Sequence, residues 1–138
     1  MELKLGCGHL SDAEFVLAFK EGRLSSTSFH HADHVRLAWL YAGLYGGAAE
    51  ENLLTGIRRF ANKAGVPEKF QHTTTVAWAR LVANSRKKSG SSQTFGEWIA
   101  GHPEFLDRRL LEKYYSENKL ESEPARSVWV EPDLAPFG

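Results

Sequence analysis

The stretch His30-His31-Ala32-Asp33-His34-Val35-Arg36-Leu37-Ala38-Trp39-Leu40-Tyr41-Ala42-Gly43-Leu44-Tyr45 decides the fold class of this chain. Val35, Ala38, Trp39, Ala42 and Tyr45 recur at intervals of three and four, and Gly46-Gly47 supplies a stop. The spacing predicts a helix from about His30 or His31 to Tyr45. A neighbouring stripe of His30, His34, Leu37 and Tyr41 begins polar and becomes apolar, as expected where a pocket opens at one end of a helical bundle.

The flanking sequence repeats the helical reading. Upstream, Ser11 with Glu14 three residues later forms a capping-box pattern, Phe15, Val16 and Phe19 form a stripe, and Gly22 ends a helix over residues 12–21. Thr27 and Ser28 are the candidate caps of the next helix. Downstream, Leu53, Ile57, Phe60 and Ala64 mark a third helix over about residues 48–64, closed by Gly65. Pro67 suits the first turn of a fourth helix that carries Thr73, Thr74 and Thr75, then Val76, Trp78, Leu81 and Val82. Residues 87–92 read as an exposed connector. Thr94 with Glu97 caps a short fifth helix that His102-Pro103 interrupts, and Phe105, Leu106, Leu110 and Tyr114 describe a sixth. Beyond Ser116 the periodicity dissolves, although Val128-Trp129-Val130 is too apolar to hang free and should fold back over the body. No alternating strand pattern competes. The expectation is an all-α, single-domain bundle of about five or six helices, with an N-terminal arm over residues 1–10 and an irregular C-terminal tail over 117–138.

Composition narrows the partners. Seventeen basic residues cancel seventeen acidic ones, so the field that draws proteins to nucleic acid or to an anionic membrane surface is missing. A small-molecule substrate is the simpler expectation. The apolar runs are far shorter than the roughly 20 residues that span a bilayer. With one cysteine, Cys7, no internal disulfide can form, and Met1-Glu2-Leu3-Lys4-Leu5 is too polar for a secretory signal, so a cytoplasmic protein is expected. A homodimer is as plausible as a monomer on general grounds of assembly.

The chemistry-bearing residues gather at the start of the second helix. His30, Asp33 and His34 share a face by i, i+3 and i+4 spacing. In one reading a histidine serves as general acid or base, Asp33 fixes its tautomer, and no cofactor is needed. His34 is then the proton-transfer residue, and His72 protonates or polarises the substrate. His30, His31, Arg36, Tyr41, Thr73 and Thr75 orient that substrate, while Trp39 and Trp78 form flat walls. In a second reading His30, His34 and His72 bind zinc or iron in a metal-dependent enzyme. A third reading makes the chain a non-catalytic ligand-binding or protein-interaction module built on its tryptophans. A plainer account also applies: Asp33 favours the positive end of a helix, and threonine hydroxyls bond back to helix carbonyls. Serine-hydrolase elbows, phosphate loops and dinucleotide fingerprints are missing from the sequence.

Phe29-x-His31-x-Asp33-His34-x-Arg36-x-Ala38-Trp39-x-Tyr41, with Gly56-Ile57-Arg58-Arg59-Phe60, Lys69-Phe70, Thr73-x-Thr75-x-Ala77-Trp78 and Trp129-Val130-Glu131-Pro132-Asp133, resembles a family of small, largely uncharacterised bacterial helical proteins across most of its length. The resemblance implies a shared site around His31, Asp33, His34, Thr73 and Thr75. Where that family often has aromatic-His-Glu-Thr, this chain has Phe70-Gln71-His72-Thr73, so a role for that glutamate would pass to His72 or be lost.

Overall fold

A computed structural model describes residues 9–90 and 92–137; most of the N-terminal arm, with Cys7, lies outside the described residues. The helix expected from the central stretch is α2 (His31–Tyr45), and it is the axis of the bundle. Every residue from Val35 to Tyr41 is buried, so the helix is surrounded by others instead of showing one face to water. Its neighbours are α1 (Asp12–Lys20), α3 (Ala49–Lys63) and α4 (His72–Ser89), with α3 and α4 its main packing partners. Three short helices follow, α5 (Phe95–Gly101), α6 (Glu117–Leu120) and α7 (Glu123–Ser127), and no strand occurs among the described residues. The molecule is all-α.

Local chemistry sets the boundaries. In the α1 cap, Ser11 Oγ accepts from the Glu14 N–H at 3.1 Å and Glu14 Oε1 from the Ser11 N–H at 2.9 Å. The Thr94–Glu97 pair repeats this at α5. For α2 the cap is His30 rather than Thr27 or Ser28, and Asp33 Oδ2 accepts the His30 N–H at 2.9 Å. At α3 the glycine Gly56 permits close approach: a Cβ there would stand 2.6 Å from a ring carbon of Phe19.

Four further expectations are corrected. Pro67 opens only a single 3-10 turn (Pro67–Lys69), because Phe70 and Gln71 are extended and the Gln71 side chain caps α4 by accepting the Thr74 N–H at 2.7 Å. α4 then runs on to Ser89, taking in half of the expected connector, and stops at Gly90 with φ +90°. The sixth helix is instead two 3-10 segments, Pro103–Leu106 and Arg108–Lys113, which bury Phe105, Leu110 and Leu111. The tail also contains regular structure, since Ser116 caps α6 and Pro124 occupies the first turn of α7.

The rest of the tail does fold back, and polar bonds hold it. Thr73 Oγ1, fully buried, donates to the Val128 carbonyl at 2.7 Å and accepts the Val130 N–H at 3.2 Å. Tyr115 donates its hydroxyl to the Val130 carbonyl at 2.7 Å, and Ser116 binds Asp133 through its N–H and its hydroxyl. Trp129 lies under the Arg80 guanidinium, 4.2 Å from the ring centre. Substituting Thr73→Val keeps the shape but leaves two backbone groups of the tail unpaired. A stability loss of about 1–3 kcal/mol is expected in urea titration, and an unchanged midpoint would show the tail to be held by its apolar contacts alone.

Candidate functional site

A broad cleft of about 1310 Å³ opens beside the first turns of α2. His30, His31, His34 and Ala38 supply one side, a stripe set by the four-residue step from 30 to 34 to 38. From α3, Leu53 and Ile57 give it an apolar wall. The start of α4 contributes Gln71, Thr74, Thr75 and Trp78. Opposite stand Arg108, Leu111, Tyr115 and Leu120, from the second 3-10 segment onward to α6. Phe29, at the foot of α2, completes the aromatic surface.

His34 is the chemically distinctive group. Its ring meets Phe29 edge-on at 4.4 Å between centres, and neither nitrogen has a hydrogen-bond partner among the described residues. The side chain is solvent-accessible, yet it is exposed into the cleft, where surrounding protein still disfavours a charge. That desolvation, followed by the charge on His31, lowers its pKa from 6.5 to about 4. His34 is therefore a neutral imidazole at physiological pH. His31 is oriented differently: Nε2 lies 3.0 Å from the Phe105 carbonyl, which can only accept, so Nε2 carries the proton and Nδ1 is the acceptor. Its ring meets Trp78 at 4.6 Å. Burial lowers the His31 pKa most and the Arg108 charge lowers it further, against the opposing Phe105 bond and Asp107.

No family model, curated protein or solved structure matches this chain. The functional reading accordingly rests on the site itself.

The residues expected to act together separate into two sets. His30, His31, His34, Thr75 and Trp78 line the cleft, whereas His72, Asp33, Arg36, Trp39, Tyr41 and Thr73 do not. Asp33 is fully buried and takes the His30 N–H into the helix cap, with its carboxylate 3.9 Å from His30 Nδ1, and it makes no bond to His34. Arg36 points away, donating to the Leu10 carbonyl and to Asp12 Oδ1, each at 2.8 Å, above the Phe15 ring. It ties α1 to α2. Trp39 packs against Phe95 and Trp98 with Arg86 stacked 3.8 Å over its ring, and Tyr41 lies edge-on to Phe19 and Tyr45. The polar stripe thus continues one residue later than expected: Ala38 carries it on, while Leu37 and Tyr41 enter the core.

His72 sits on another face of α4, its Nδ1 buried without a partner. Thr75 lines the cleft but spends its hydroxyl proton on the Gln71 carbonyl at 2.9 Å. Among the described residues no three His, Cys, Asp or Glu side chains come together to hold a cation, and the trio of His30, His34 and His72 proposed for zinc or iron is split by the position of His72. Phe29, Ala38, Leu53, Ile57, Arg108 and Tyr115 belong to the site although sequence patterning assigned them no part in it. Ala38 carried one usable signal, being the small residue one turn beyond His34.

The depressed histidine has a consequence for stability. As pH falls below about 6.5 the unfolded chain takes up a proton that folded His34 refuses until about pH 4, so stability is full above that window and declines through it. His34→Gln should therefore show a shallower loss of urea midpoint between those two pH values than the wild type. Parallel curves would contradict the assignment.

Proposed function

We propose that the cleft takes a small organic molecule and that His34 accepts a proton from it, making the protein an acid–base enzyme that needs no bound cofactor. One observation carries the reading: His34 is a neutral, accessible imidazole without a hydrogen-bond partner among the described residues, set against the Phe29 ring in a cleft of mixed polar and apolar lining. A base so placed has both lone pair and access, which is what proton abstraction requires. His31, held by the Phe105 carbonyl, presents a fixed acceptor edge for orienting the substrate, and Trp78 and Phe29 offer flat surfaces to an aromatic or carbonyl-bearing body.

Asp33 and His72 have different parts here from those in a histidine–carboxylate dyad. Asp33 serves the helix cap, so His34 works without a carboxylate partner. That same observation favours a second reading, in which the cleft binds its ligand without turnover. Solvent deuterium exchange separates them. A panel of small enolisable carbonyl compounds is incubated with the protein in heavy water, and proton NMR follows loss of the signal beside the carbonyl. Exchange catalysed by the wild type and lost in His34→Ala supports the enzyme; binding of panel members without exchange supports the second reading.

A further inference from the structure

The charges around the cleft are unevenly placed. Arg109 is paired with Glu112 at 2.7 Å and is thereby spent. Lys69, Glu117 and Glu121 also line the cleft, and the side chain of Gln71, two residues after Lys69, reaches the Leu120 carbonyl. Arg108 is different. It lines the cleft, makes no ion pair or hydrogen bond among the described residues, and follows Phe105, the residue whose carbonyl holds His31, by three positions. Its charge acts on the His31 ring directly. Asp107, the nearest carboxylate in that segment, takes the Arg109 N–H at 2.9 Å and does not line the cleft. The cleft therefore holds an uncommitted guanidinium beside His31, with Leu53, Ile57 and Trp78 also in its lining.

From this juxtaposition we infer that the ligand is an amphipathic monocarboxylate, its carboxylate on Arg108 at the histidine end and its aromatic or aliphatic body along Leu53, Ile57 and Trp78. A guanidinium suits a carboxylate because its planar N–H groups match the two oxygens. The apolar wall rewards a large hydrocarbon body by removing it from water. The inference rests on the reading of the cleft as a small-molecule site and specifies what enters it. It also bears on His34, since a carboxylate seated nearby favours the protonated imidazole and so strengthens the base when substrate is present.

Calorimetric titration with naphthylacetate and with its neutral isostere naphthylacetamide tests this. The acid should bind the wild type about five- to tenfold more tightly than the amide, the range between a screened ion pair and a charge-assisted hydrogen bond. Arg108→Gln should erase that preference, and Arg109→Gln should leave it; both side chains are exposed, so folding is not at issue. Equal binding of acid and amide, with either probe shielding His34 from acylation by diethyl pyrocarbonate, overturns the carboxylate assignment and leaves the small-molecule site standing. If neither probe binds and His34 is acylated at its usual rate, both the carboxylate and the site reading fall.

Discussion

His34→Ala is expected to slow exchange or turnover of the cleft's substrate by about 100- to 10,000-fold, the usual worth of one positioned proton-transfer group. The loss should fall on kcat more than on KM, because the apolar walls and Arg108 are untouched and bind the substrate as before. Folding should survive. His34 makes no hydrogen bond among the described residues, and its edge-on contact with Phe29 is worth only about 0.5–1.5 kcal/mol. His34→Gln sharpens the result: it restores a polar side chain of similar reach that cannot accept a proton at neutral pH, so it should be as slow as the alanine variant. For the free wild-type enzyme, kcat/KM should rise as pH increases through about 4 and then level, following the imidazole that burial holds neutral. A His34→Ala protein that keeps the wild-type rate would remove the base from the account.

Trp98→Ala should cost about 3–5 kcal/mol of stability in urea titration, as large aromatic truncations in cores do. The ring is completely buried. It lies 4.9 Å from Phe105, 6.0 Å from Phe95 and 5.4 Å from the stacked His102 ring, and its Nε1–H donates to Ser85 Oγ at 3.1 Å. Truncation therefore opens a cavity where α4, α5 and the first 3-10 segment meet. It also removes a main support of Phe105, whose carbonyl orients His31, so probe binding in the cleft should weaken together with stability. A loss below about 1 kcal/mol would mean that α5 and the segment after it collapse into the space.

The helices were legible where a local rule governs. Capping boxes at Ser11 and Thr94 and the glycine stops at Gly22, Gly46 and Gly65 act through neighbours in sequence, and α1, α2, α3 and α5 follow from such signals with periodicity. The failures share one physical cause, that the deciding partner is distant in sequence. The face of α4 that carries Thr73 is set by the backbone at Val128 and Val130, some 55 residues away. Arg36 is claimed by Leu10 and Asp12, and His31 by a carbonyl 74 residues downstream. The i to i+3 backbone bonding that makes a 3-10 segment of Arg108–Lys113 leaves too short a side-chain pattern to be distinguished from a turn of α-helix. The histidine cluster itself was visible at α2. Its division into a cap, an anchored ring and an unpartnered base depended on rotation of that helix by one residue, which periodicity does not resolve.

The most direct measurement is acylation of the protein by diethyl pyrocarbonate at about pH 5, mapped by peptide mass spectrometry. The reagent attacks neutral, accessible imidazoles, and a histidine of ordinary pKa near 6.5 is almost fully protonated under those conditions. His34 should be modified at about pH 5 nearly as fast as at about pH 7, because a pKa of about 4 leaves its imidazole neutral at both. A His34 rate that falls more than about tenfold from about pH 7 to about pH 5, as for an ordinary imidazole, or no modification at either pH, would contradict the account, since His34 would then be either charged or closed to small molecules.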